Sequence, residues 1–116
     1  MRYLFAFPLL FLASGVHAEP TVQTLKDSVC HDTSTLVCAG FVGSTIEAFE
    51  LGAAKALNRD TGNVYVCVPE NTSWFDEAKL VMKKIEQDLS VFPEDKKLYA
   101  VATIAAVAMN IWPCHK

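Results

Sequence analysis

The chain is 116 residues long, with 10 Lys+Arg against 13 Asp+Glu and a formal net charge of −3. One domain is all this length allows, and a domain so small buries only part of its surface, so covalent staples are a common supplement. The acidic balance argues against nucleic acid, which demands a basic face, and is unfavourable for an anionic membrane surface.

Residues 1–18 read as a secretory signal peptide. Met1-Arg2 supplies the positive start, Tyr3 to Leu12 an apolar stretch broken only by Pro8, and Val16-His17-Ala18 the small residues a signal peptidase needs. The apolar stretch is shorter than the roughly 20 residues that span a bilayer. Lys26-Asp27-Ser28-Val29, ahead of Cys30, is not a lipobox. Cleavage after Ala18 leaves a single domain, 19–116. It removes only Arg2 among the charged residues, so nine basic residues face 13 acidic ones and the net charge is −4.

The mature chain is predicted to be all-α: a small, disulfide-stabilised, four-helix bundle-like domain. A short first helix runs from Thr21 to about Val29 through Val22, Leu25 and Val29. Cys30 to Ser34 is a polar connection in which Asp32, Thr33 or Ser34 can cap the next helix. That second helix spans about Thr35 to Leu57 and is dense in small residues, including Gly40, Gly43 and Gly52. Each glycine in a helix interior costs roughly 0.5–1 kcal/mol relative to alanine. Close approach of another backbone is the natural reason for them.

Asn58 to Asn63 is the clearest loop, rich in turn residues. Val64 to Val68 has strand propensity but no partner strand, and reads as extended connection. A third helix begins near Asn71 to Ser73, with Ser73 and Asp76 at capping-box spacing. Trp74, Ala78, Val81, Met82, Ile85 and Leu89 recur on its apolar face; its other face carries Asp76, Glu77, Lys79, Lys83, Lys84, Glu86 and Asp88. Pro93 suits the start of a fourth helix, with Glu94 and Asp95 favourable in its first turn. From Leu98 to Trp112 that helix is apolar nearly all round and is expected to be buried on most sides, at the centre of the bundle or against a second copy. At 15 residues the run is too short to cross a membrane.

Four cysteines permit three pairings. In an up-and-down bundle Cys30 ends helix one and Cys38 opens helix two, while Cys67 precedes helix three and Cys114 follows helix four. The order predicts Cys30–Cys38 and Cys67–Cys114; a crossed topology would instead give Cys30–Cys67 with Cys38–Cys114. A metal site needs ligand pairs at short spacing, and there is no C-x-x-C, so neither metal nor cofactor is expected.

Catalytic constellations are sparse. His31 and His115 sit beside cysteines expected to be oxidised and so have no thiolate to activate. No G-x-S-x-G motif is present. Glu47 and Glu50, three apart on one helix face, read as solvated side chains. An enzyme is not expected.

Three blocks carry a resemblance. Cys38-Ala39-Gly40-Phe41-Val42-Gly43 resembles the C-x-G-aromatic-x-G opening of the second helix in the Rap/Tai family of type VI secretion immunity proteins. Val66-Cys67-Val68-Pro69 resembles that family's C-x-P block, and Trp112-Pro113-Cys114 its terminal F-P-C. Phe41 stands where Tyr is usual and Trp112 where Phe is usual, changes that preserve packing. The resemblance implies a periplasmic helical protein, often a homodimer, that binds and blocks a cognate peptidoglycan amidase effector without chemistry of its own.

Such an inhibitor needs a projecting element on a rigid scaffold. The 58–65 loop is the candidate, offering Arg59 and Asp60 for charged contacts, Asn63 for hydrogen bonds and Tyr65 as an aromatic anchor. A small periplasmic stress chaperone and a ligand-binding helical domain share the size and compartment and stand as alternatives.

Overall fold

The computed structural model describes residues 19–57 and 66–114, with the side chains of 52–57 left aside. The signal segment 1–18, the loop positions Arg59, Asp60, Asn63 and Tyr65, and His115 therefore lie outside the described residues. Among the described residues the domain is all-α, and its only β features are two isolated bridges, Thr21 to Tyr99 and Val66 to Pro113.

The first helix, α1, begins as a turn of α-helix over Val22–Thr24, with Thr21 as its cap: Thr24 N donates to Thr21 Oγ1 at 3.3 Å. It then widens into a π-helical turn, Leu25–Val29, closed by Cys30 N donating to Leu25 O at 2.6 Å. The apolar spacing predicts plain helix here, and the widened turn is a departure from it. The turn ends at Cys30, whose Cα lies 4.7 Å from that of Cys38 in the Cys30–Cys38 disulfide.

The second helix, α2, spans Leu36–Leu57. Its cap is Thr35, one residue later than expected: Cys38 N donates to Thr35 Oγ1 at 3.2 Å. Asp32 serves the connection instead, accepting from Ser34 N at 2.9 Å and Ser34 Oγ at 2.7 Å. Those bonds hold its carboxyl below the usual range.

The third helix, α3, spans Trp74–Val91 and is capped by Ser73, which accepts from Asp76 N at 3.0 Å. A separate 3₁₀ turn, Pro93–Lys97, follows. Pro93 thus opens that turn and not the fourth helix. Leu98 and Tyr99 are extended, and α4 occupies Ala100–Ile111.

Apolar spacing decides the core. Val22 and Leu25 of α1, Val42 and Ile46 of α2, Ala78, Val81, Met82 and Ile85 of α3, and Ala100, Ile104 and Ala108 of α4 are all buried together. Removing each large aliphatic side chain from water is worth about 1.5–3 kcal/mol. Two segments from elsewhere in the chain are tied to the flanks of α4. At its start, Val22 N donates to Leu98 O and Ala100 N to Pro20 O, both at 2.8 Å. Past its far end, Cys67 N donates to Trp112 O at 2.9 Å, and Cys67 is bonded to Cys114.

Two expectations about packing are corrected. Within one copy helix α4 is not the enclosed centre of the bundle: Val101 is 42% exposed and Met109 39%, with Ala102 and Ala106 also open to solvent. Its alanines are too short to reach a second layer, so only one face joins the core. The glycines of α2 also divide. A Cβ on Gly40 would meet nothing within 4 Å, whereas one on Gly43 would collide with Trp74. Close approach accounts for Gly43, though it is the Trp74 side chain and not another backbone that comes near, and it does not account for Gly40.

Candidate functional site

The 58–65 loop is flanked by anchored chain. On one side α2 runs to Leu57. On the other, Val66 is buried and bridges Pro113, Cys67 is bonded to Cys114, and Val68 N donates to Glu50 Oε2 at 3.0 Å. That last bond overturns the reading of Glu50 as a bland solvated carboxylate. It is half-buried, and the charge satisfies a backbone donor that a Pro-containing connection leaves without a ladder partner. Glu47, one turn earlier, is exposed.

Glu50 and Glu47 border a cleft of about 270 Å³ that sequence reasoning missed. The connection contributes Glu70 to its lining, and α3 contributes Trp74 and Glu77. Glu77 is the unusual member. It was assigned to the solvated face of α3, yet it is only 6% exposed, and its Oε1 has no hydrogen-bond partner among the described residues. Burial pushes its carboxyl up to about 7, with the neighbouring charges of Glu50 and then Glu47 adding to the effect.

The sequence held a signal for this. Glu77 lies three residues after Trp74 and four before Val81, inside the apolar stripe of α3. An ionisable residue at such a position is buried by the helix register whatever its polarity.

Trp74 forms the wall of the cleft. It caps no core layer, being 41% exposed, but its Cβ and ring rest on Gly43 of α2. The glycine fixes where the indole stands relative to the carboxylates.

Elsewhere, His31 is exposed next to Cys30, and all four cysteines are oxidised, so neither His31 nor any other group has a thiolate to activate. Among the described residues no three His, Cys, Asp or Glu side chains converge closely enough to hold a metal ion. Two disulfides fit an oxidising, extracytoplasmic compartment. No helix among the described residues is long and apolar enough to cross a membrane. The chain matches no protein-family model, no curated protein and no solved structure.

Proposed function

We propose that this protein is a periplasmic immunity protein, exported by its N-terminal signal, that binds and inhibits a cognate type VI secretion peptidoglycan amidase. It does so by occupying the enzyme's cleft with the 58–65 loop and performs no chemistry itself.

The observation that carries the reading is the anchoring behind that loop. Val66, Cys67 and Val68 are held in succession by Pro113, by Trp112 and Cys114, and by Glu50. A scaffold immobilised in this way lowers the entropy lost when a projecting element docks. Apart from Glu50, the residues that form these anchors belong to two of the blocks that carry the family resemblance. Gly43, in the remaining block, seats Trp74.

The uncovered face of α4 supports a homodimer. Ala102, Ala106 and Met109 follow one another along that face, with Val101 at its edge, and small side chains let a second helix approach closely.

The test is binding to the cognate amidase, sought as a small cysteine–histidine enzyme among the genes neighbouring this one. The wild-type protein should capture it and block peptidoglycan cleavage. Arg59→Ala and Tyr65→Ala should weaken capture by about tenfold or more without lowering Tm. Wild-type affinity in both variants removes the loop from the interface, and absence of any complex rejects the immunity reading.

A further inference from the structure

The cleft between α2 and α3 holds a buried acceptor that the described residues do not satisfy. Its lining combines four carboxyl groups, Glu47, Glu50, Glu70 and Glu77, with the indole of Trp74, and among the described residues it includes no Lys or Arg. Carboxylates gathered at a surface are ordinarily left to water. Here one of them is more than nine-tenths buried with an oxygen that bonds to nothing among the described residues. Leaving such a group unsatisfied costs about 1–3 kcal/mol, which no hydrogen bond among the described residues offsets.

We propose that this cleft is a binding site for a guanidinium group, held between the Trp74 indole and the carboxylates of Glu77, Glu47 and Glu70.

Three observations select this chemistry. The first is the sign of the charge: the N-terminal end of α3 contributes about half a positive charge, which offsets only part of the carboxylate charge. The second is the aromatic wall. A planar cation stacks on an indole face while its edge donates to carboxylates, and a guanidinium does both at once where an ammonium or a metal ion does not. Metal is further disfavoured because the oxygens do not converge on one point among the described residues. The third is size. About 270 Å³ lies below the 300–1,000 Å³ of drug-sized sites, but it has room for the head and stem of one arginine side chain.

Glu50 has one oxygen committed to Val68 N and acts as a fixed neighbouring charge. Glu77 Oε1 is the open acceptor. Its carboxyl, pushed up to about 7 in the empty cleft, gives up its proton to the medium as the cation enters. The group can come from an arginine on a partner protein or from a free small molecule, and both present the same head.

The test uses the purified, oxidised mature chain and N-acetyl-argininamide, followed by the Trp74 indole N–H resonance and by calorimetry. Saturable binding is expected at pH 8, weakening by about tenfold or more at pH 5.5 as Glu77 retains its proton. Proton release should show as a buffer-dependent heat at and below neutral pH, where Glu77 in the empty cleft still holds its proton, and should fade at pH 8. Glu77→Gln should abolish the pH dependence and weaken binding at pH 8, while Glu86→Gln, on the exposed side of α3, should change neither. A short arginine-containing peptide that binds more tightly than the amide identifies a protein source; equal affinity identifies a small molecule.

The proposal is overturned if the amide does not saturate the site. It is equally overturned if N-acetyl-lysinamide or Mg²⁺ binds as tightly, or if Glu77→Gln binds like wild type. No amidase is needed for these measurements, so their failure and the failure of the immunity reading are separate results.

Discussion

The ring of Trp74 rests on Gly43. A Cβ on that glycine would stand 2.7 Å from Trp74 Cβ and closer still to the indole. The first residue of α3 is thereby seated on the second turn of α2, and the cleft wall and the helix packing become one feature.

Gly43→Ala and Gly40→Ala should therefore have opposite signs. At Gly40 the new methyl enters open space and the helix gains about 0.5–1 kcal/mol. At Gly43 the same gain is outweighed by forcing Trp74 away, an overpacking cost of about 1–3 kcal/mol. Chemical denaturation measures both, and Trp fluorescence should shift only in the Gly43 variant. Equal stabilisation by the two substitutions would show that Trp74 moves without cost.

Stability should fall as pH rises through neutrality. Glu77 titrates near 7 in the folded protein against an ordinary 4.5, so the native state retains a proton that the unfolded chain releases. That contribution is fully present below about 4.5 and is lost as pH climbs through about 7. Glu47 and Glu50 from α2, and Glu70 from the connection, face the same cleft. Asp95 adds to the slope at lower pH, because the side chain of Asp88 holds its carboxyl above the usual range. Glu77→Gln should match wild type at pH 5 and exceed it at pH 8 by about 1–2 kcal/mol, after discounting for the open side of the cleft. Parallel unfolding curves at the two pH values for both proteins would refute the burial of a neutral carboxyl.

The two disulfides should separate by both size and accessibility. Cys67–Cys114 closes a separation of 47 residues and Cys30–Cys38 one of 8. In the chain-entropy account, replacing both members of the first pair by alanine costs about 4 kcal/mol, and of the second about 2.5 kcal/mol. Exposure works the other way for chemistry: Cys67 is exposed, while Cys30 and Cys38 are buried. Mild thiol reductant followed by alkylation and mass analysis should label Cys67 and Cys114 first. Early labelling of Cys30 would contradict the core position of its bridge.

If α4 pairs with a second copy, Ala106→Glu and Met109→Glu should give monomers by light scattering. Tm extrapolated to low protein concentration should be unchanged, since isolated surface substitutions usually stay within about 0.5 kcal/mol. A monomeric wild-type protein at micromolar concentration would remove the dimer.

The helix order, the cap at Ser73 and both disulfide pairs are legible in the sequence, because helical periodicity and topology determine them. What was not legible depended on tertiary distance. The π turn at Leu25–Val29 has no local marker. Pro93 signals a helical start equally well for a 3₁₀ turn as for a longer helix. Chemical type places Glu77 with the charged residues, although its position on the helix sets it among Trp74, Ala78 and Val81. Helix α4 was read as enclosed because apolar composition indicates what a face tolerates and not what covers it.

Each disulfide is local to one half of the chain: Cys30–Cys38 lies before residue 58 and Cys67–Cys114 after residue 65. The backbone of 58–65 is thus the sole covalent link between the two halves. A protease cut there would leave two independently crosslinked fragments joined by non-covalent contacts alone: the shared core around Val42, Ile46, Val81 and Ile104, and the bonds of Val22 to Leu98, Pro20 to Ala100 and Glu50 to Val68. Neither disulfide therefore guards the molecule against a break between residues 57 and 66; after one, its integrity depends on packing alone.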